Sequence, residues 1–210
     1  TYGLGTLTIL PAPLTVRTDS STITYGSKSP SFASNITGYQ YQDNADSVFT
    51  GGVLSYNLLN SSGRTVQATN VPSCKFNIVP SGTIIQPSNY NVQYVNGLLT
   101  INAAVLNAKA VDTFKTYGNN NPVFRITYTG FLNGDNPLNI TPPVASTTAT
   151  VASGAGTYPI TLTGGSAANY NIVNTGGTLT IKPATLTVKA DNKTICVFAV
   201  LPVFTSTITG

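Results

Sequence analysis

"NYNIVNTGGTLTIK", Asn169 to Lys182, decides the fold, because the chain has already said nearly the same thing. Residues Asn89 to Asn102 read "NYNVQYVNGLLTIN", and a shortened form, "TYGLGTLTIL", opens the chain at Thr1. Gly5, Gly97 and Gly177 fall in register, then Leu7, Leu99 and Leu179, then Ile9, Ile101 and Ile181. The next strand starts, Leu14, Leu106 and Leu186, are spaced by 92 and 80 residues. Pro30 and Phe32 match Pro122 and Phe124, then Pro202 and Phe204, and Gly38, Gly130 and Gly210 close the block. Self-similarity at a fixed long period is the signature of a tandem array. The sequence therefore divides into the closing strand of one module (1–10), two full modules (11–102 and 103–182) and the first part of another (183–210).

Each module reads as β. Tyr90, Val92 and Tyr94 alternate with polar residues, as do Leu99 and Ile101 after Asn96-Gly97, a pattern that predicts a β-hairpin with a tight turn. "FRITYTG" and "TYPITLTG" keep the same period of two, and no segment keeps a helical one. Seven short strands per module, with a turn signal every 8–12 residues, predict small Ig-like β-sandwich modules in an extended array. A β-grasp-like sheet is the alternative. The first module carries 12 additional residues between Asp43 and Asn89, which lengthen a hairpin or loop at small entropic cost.

Four residues separate the last Ile of one module from the first Leu of the next: "LPAP", "NAAV" and "KPAT". Short Pro-containing linkers stay extended, so the expectation is a stiff rod at roughly 35–45 Å per module.

Composition removes several function classes. There is no His, Glu, Trp or Met, and only 8% of residues are charged. Without His, the usual general base, the Ser–His–Asp triad and the commonest zinc ligand are missing. An enzyme is not expected. Net charge is +4, but the Lys and Arg residues are scattered, whereas nucleic-acid binding needs them clustered. The most apolar run, Ile195 to Phe204, is too short to span a bilayer and contains Pro202.

The spaced elements Tyr117-Gly118, Pro122, Phe124, Gly130-Phe131, Gly134-Asp135, Tyr158, Asn169-Tyr170 and Leu179 resemble the MBG-type (YGX) repeat of very large bacterial surface proteins. The first module repeats them as Tyr25-Gly26, Pro30, Phe32, Gly38-Tyr39, Asp43 and Asn89-Tyr90. In the third copy Val197 and Phe198 replace Tyr-Gly. The resemblance implies an extracellular, cell-surface stalk or fibre in a secreted adhesin, including gliding and biofilm adhesins exported by type 9 secretion. Its partners would be neighbouring modules of the same long chain, other surface proteins or surface glycans. The resemblance brings no catalytic residues.

Tyr25 and Tyr117, each beside a turn-forming Gly, read as anchors of a core or turn rather than sugar contacts. Gly97 and Gly177 read as turn glycines. Asp43, Asn44, Asp46 and Asp135 are weak Ca²⁺ ligand candidates set against solvated turns, since calcium wants six to eight oxygens. Cys196 reads as a buried structural cysteine. No Cys74–Cys196 disulfide is expected, because the two fall in modules with another between them. Lys–Asn isopeptide bonds usually need a buried carboxylate, and Glu is absent. Ser47, within "DSV", is an O-glycosylation candidate, and Asn35, Asn60, Asn139 and Asn192 fit N-x-Ser/Thr. Two functions follow: a spacer, in which length is the product, or a binding module acting through the extra residues of the first module.

Overall fold

The computed structural model describes residues 3–65, 74–85 and 89–210. It is 46% strand and 5% helix, arranged in several small sheets as β-sandwich modules are. Among its described residues the first repeat holds seven strands: β1 (Ala12–Thr18), β2 (Ser21–Thr24), β3 (Ser34–Thr37), β4 (Ser55–Leu59), β5 (Lys75–Ser81), β6 (Tyr90–Val95) and β7 (Gly97–Asn102). They form two sheets, ordered β3-β1-β6 and β2-β7-β5-β4. The second repeat holds β8 (Ala104–Ala110), β9 (Thr113–Thr116), β10 (Ile126–Thr129), β11 (Val144–Thr147), β12 (Gly156–Thr163), β13 (Tyr170–Thr175) and β14 (Gly177–Lys182). Its sheets, β10-β8-β13 and β11-β12-β14-β9, repeat the same order strand for strand. A final pair, β15 (Thr187–Ala190) and β16 (Ser206–Thr209), is antiparallel with Thr187 opposite Thr209. No helix among the described residues is long and apolar enough to cross a membrane.

Alternation places the core. Along β1, Leu14, Val16 and Thr18 point inward, and along β7 Gly97, Leu99 and Ile101 do so. In β14, Leu179 and Ile181 are buried between half-exposed or exposed neighbours. The pairing β1–β6, β2–β7 and β9–β14 is parallel, while the remaining registered pairs are antiparallel.

That pairing corrects the hairpin expected at Asn96-Gly97. Strands β6 and β7 are consecutive but belong to different sheets, so the chain crosses from one layer to the other there. Neither Asn96 nor Gly97 has a positive φ. Gly97 is needed for closeness instead: a Cβ there would lie 2.5 Å from the Asp19 carbonyl oxygen. Gly177 faces the Ala110 carbonyl oxygen in the same way at 2.6 Å. Alternation and Asn-Gly look identical whether the second strand folds back or changes sheet, and only long-range pairing tells the two apart.

The extra residues of the first repeat are shared among the β3–β4, β4–β5 and β5–β6 connections, each longer than its counterpart in the second repeat. Residues 66–73 and 86–88 of these connections lie outside the described residues.

Two compact units result. One contains Leu106 and the residues before it, with Gly130–Ile140 and Ser166–Asn171. Its buried cluster is Leu14, Val16, Val48, Phe49 and Tyr90, with Ile36, Tyr39 and Val92 packed against it. The other contains Asn107–Thr129, Thr141–Gly165 and Ile172–Gly210, around Ala110, Ala149, Ile160, Leu179 and Ile181. Phe124 packs on this second cluster. There, buried Lys115 donates through Nζ to the carbonyls of Thr150 (2.7 Å) and Asn119 (3.0 Å).

Candidate functional site

The most elaborate polar arrangement in the first compact unit begins at a glycine. Gly130 leaves β10 at φ +110, and a Cβ there would press on the Val105 carbonyl oxygen at 2.7 Å. The loop then turns through Asn133, whose φ of 54 is left-handed, and Asp135 N–H donates to the Leu132 carbonyl at 2.9 Å. Asn and Asp tolerate such turns because their side chains bond the local backbone. Asn136 does so, accepting from Leu138 N–H at 2.9 Å.

This loop delivers the Asp135 carboxylate to two phenols. Tyr170, the first residue of β13, donates to Asp135 Oδ2 at 2.7 Å and accepts from Leu132 N–H at 2.9 Å. Tyr25 donates to the same Oδ2 at 3.1 Å. The Tyr25 and Tyr170 rings meet edge to face at 5.5 Å, and Phe131 meets Tyr170 in the same manner at 5.8 Å. Such pairs contribute about 0.5–1.5 kcal/mol beyond their buried area. Tyr25 and Tyr170 are 7% and 4% exposed. Gly26 supports Tyr25 with a φ of +83, and a Cβ there would strike Leu132 Cδ1 at 2.6 Å. Its turn closes by Ser27 N–H to the Thr24 carbonyl at 3.0 Å.

The first repeat builds the same loop. Gly38 has φ +103, Tyr41 has φ 56, and Asp43 N–H donates to the Gln40 carbonyl at 3.1 Å. Tyr90 donates to Asp43 Oδ2 at 2.6 Å and accepts from Gln40 N–H at 3.0 Å. Beside it, Asn44 caps the short helix α1 (Ala45–Val48) by accepting from Asp46 N–H and Ser47 N–H. The Ser47 hydroxyl donates to Asp43 Oδ1 at 3.0 Å and accepts from Asn44 N–H at 2.9 Å, so a glycan there would remove the donation to Asp43.

Asp43 and Asp135 are thus acceptors that pin tyrosines. Among the described residues no group of three or more His, Cys, Asp or Glu side chains gathers. Sequence reading did not pair these residues, although Asp43 to Asp135 spans the same step as Tyr25 to Tyr117, and Tyr90 to Tyr170 the same as Leu99 to Leu179. The other motif residues are placed separately. Phe32 lies 6.0 Å from the Tyr56 ring. In the second unit, Tyr117-Gly118 forms the same turn as Tyr25-Gly26, with Asn119 N–H to the Thr116 carbonyl at 3.1 Å and Gly118 at φ +85. Phe198 carries the positive φ, 68, in the corresponding turn of the third copy, where a non-Gly residue is strained. Pro30 and Pro122 are both half-buried. Both cysteines are free, and Cys196 is exposed rather than buried, in a turn of the connection between β15 and β16.

Burial, together with the bond to Asp135 and the charge on it, pushes the Tyr170 phenol up from 10.0 to about 12. Tyr90 is raised chiefly by its bond to Asp43. For Tyr170 the neutral form is the one the fold holds. Its contribution is complete below pH 10 and is lost as pH rises through 12, since the unfolded chain gives up its proton first. The shift corresponds to at most about 2.7 kcal/mol, reduced by solvent to the order of 1. Urea titrations should show stability falling between pH 10 and 12 more steeply in the parent chain than in Tyr170→Phe.

A second expectation concerns Tyr39, whose hydroxyl is buried with no hydrogen-bond partner among the described residues. Phe131 occupies the same register position. Removing an unpaired buried hydroxyl relieves its desolvation cost, so Tyr39→Phe should raise stability by about 1 kcal/mol, read as a higher urea midpoint.

The family model described as MBG domain (YGX type) matches residues 14–100 and 106–180. No curated protein matches the chain. Among solved structures, Drosophila N-cadherin EC1-3 is similar at 8% identity over 82% of this chain and 68% of that one, with a TM-score of 0.27.

Proposed function

Since the chain belongs to the MBG domain (YGX type) family, we propose that it is a structural segment of a larger extracellular adhesin, spacing adhesive regions away from the cell surface. The observation that carries this reading is the repetition of one strand order, strand for strand, with the same four-residue spacing at each junction between repeats. A spacer needs reach per repeat and no reactive group, and the polar arrangement described above serves to pin loops. We further propose exposure at a bacterial surface, a role in gliding or biofilm adhesion, and export by type 9 secretion. They rest on the character of the repeat. The role is non-catalytic, and the contacts that matter are with neighbouring repeats of the same chain.

Small-angle X-ray scattering of the 210-residue chain in dilute solution tests the spacer role. A rod-like profile with a long maximum dimension is expected. A compact particle would overturn it.

A further inference from the structure

Tyr25 enters a site whose parts all have counterparts in the first repeat. Gln40 stands for Leu132, Tyr41 for Asn133, Asp43 for Asp135 and Tyr90 for Tyr170. The geometry agrees: Tyr90 to Asp43 Oδ2 is 2.6 Å where Tyr170 to Asp135 Oδ2 is 2.7 Å, and φ at Tyr41 and Asn133 is 56 and 54. In the second repeat the same Oδ2 takes a further phenol, that of Tyr25. In the first, Leu10, Gln40, Tyr41, Asp43 and Tyr90 line a cavity of about 350 Å³, with Tyr41 fully exposed and Leu10 79% exposed at its rim.

We propose that this cavity seats the tyrosine of a Tyr-Gly turn donated by the repeat to which the Gly5–Leu10 segment belongs by register, a neighbour on the same polypeptide. The seated phenol donates to Asp43 Oδ2, and its ring lies edge-on to Tyr90. Strand register identifies the occupant. Each Tyr-Gly turn is tied to the last residue of its own repeat: Tyr25 N–H to the Asn102 carbonyl and Tyr117 N–H to the Lys182 carbonyl, both at 2.8 Å. Leu10 is the residue in register with Asn102 and Lys182, and it lines the cavity. A tyrosine held at the Leu10 carbonyl is therefore delivered to Asp43, as Tyr25, held at Asn102, is delivered to Asp135. Tyr117, 49% exposed where Tyr25 is 7% exposed, is the matching donor at the other end of the repeat pair. The consequence is a tyrosine–carboxylate joint between successive repeats, independent of any adhesive role.

The test lengthens the chain to residues 1–102 followed by 11–210, so that a leading Tyr25 faces the Asp43 site of the next copy. Nitration with tetranitromethane, mapped by mass spectrometry, reads tyrosine exposure without altering the joint. The leading Tyr25 should react as slowly as Tyr25 of the 210-residue chain, about sevenfold below Tyr117 by their exposures. Reaction at the Tyr117 rate would overturn the proposal. In parallel, p-benzoylphenylalanine replaces the leading Tyr25, and light should join it to peptides holding Gln40–Asp43 or Asn89–Tyr90 of the following copy. Cross-links elsewhere in the chain sink the idea. Cross-links between two molecules would make a second copy the occupant and equally defeat it. So would failure of the same label, placed at Tyr25 of the 210-residue chain, to reach Leu132, Asp135 or Tyr170.

Discussion

Leu179→Ala lowers the stability of the second compact unit by roughly 3 kcal/mol, within the 2–5 kcal/mol found for buried Leu truncations. Leu179 is fully buried, and its cluster includes Ala110 and Ala149, whose side chains are too short to swing into the space. The backbone cannot close it either, because Leu179 is paired with Tyr158 on one side and Thr113 on the other. The cost thus combines lost transfer energy with a cavity. Urea unfolding should show a lower midpoint at unchanged slope. Val173→Ala, in the same repeat at a 46% exposed position, should move stability by about 0.5 kcal/mol or less.

Asp135→Ala is expected to cost roughly 2–3 kcal/mol, because one carboxylate oxygen serves two largely buried phenols and hydrogen bonds to charged groups are the stronger kind. Asp43→Ala should cost less, about 1–2 kcal/mol: Tyr90 is its one phenol, and its other partner, the Ser47 hydroxyl, keeps the Asn44 bonds. The ordering is the diagnostic. A double-mutant cycle between Asp135→Asn and Tyr25→Phe should give a coupling of about 0.5 kcal/mol or more. Additive costs would mean that the Tyr25 hydroxyl gains nothing from Asp135.

Register carried most of the fold into view. Because Gly97 and Gly177, Leu99 and Leu179, and Ile101 and Ile181 recur together, the strands and their inward faces could be read by counting. Turn chemistry was legible at Tyr25-Gly26 and Tyr117-Gly118, where a Gly takes the positive φ. It misled at Asn96-Gly97, because that Gly answers a close carbonyl from a distant turn, and no local pattern announces a distant carbonyl. The Asp–Tyr sites were hidden for a related reason. Asp43 and Asp135 stand in polar loops that look solvated, and their partners lie 47 and 35 residues further along. Cys196 shows the opposite failure: an apolar run reads as core, yet Ile195 to Phe204 is largely exposed. Apolar composition predicts burial only where another layer covers it.

The parallel pairing of β2 with β7, and of β9 with β14, bears on how a repeat responds to being pulled. Each pair couples a strand near the start of a repeat to its final strand, through Ser21–Thr24 against Leu99–Asn102 and Thr113–Thr116 against Leu179–Lys182. Tension applied through the ends of a repeat runs along these strands, so their hydrogen bonds are loaded together, in shear. Strands joined as a terminal hairpin would instead peel apart one bond at a time. Pulling single molecules by their termini should therefore give abrupt high-force ruptures, one per repeat. A low, gradual extension would show that the load bypasses these strands.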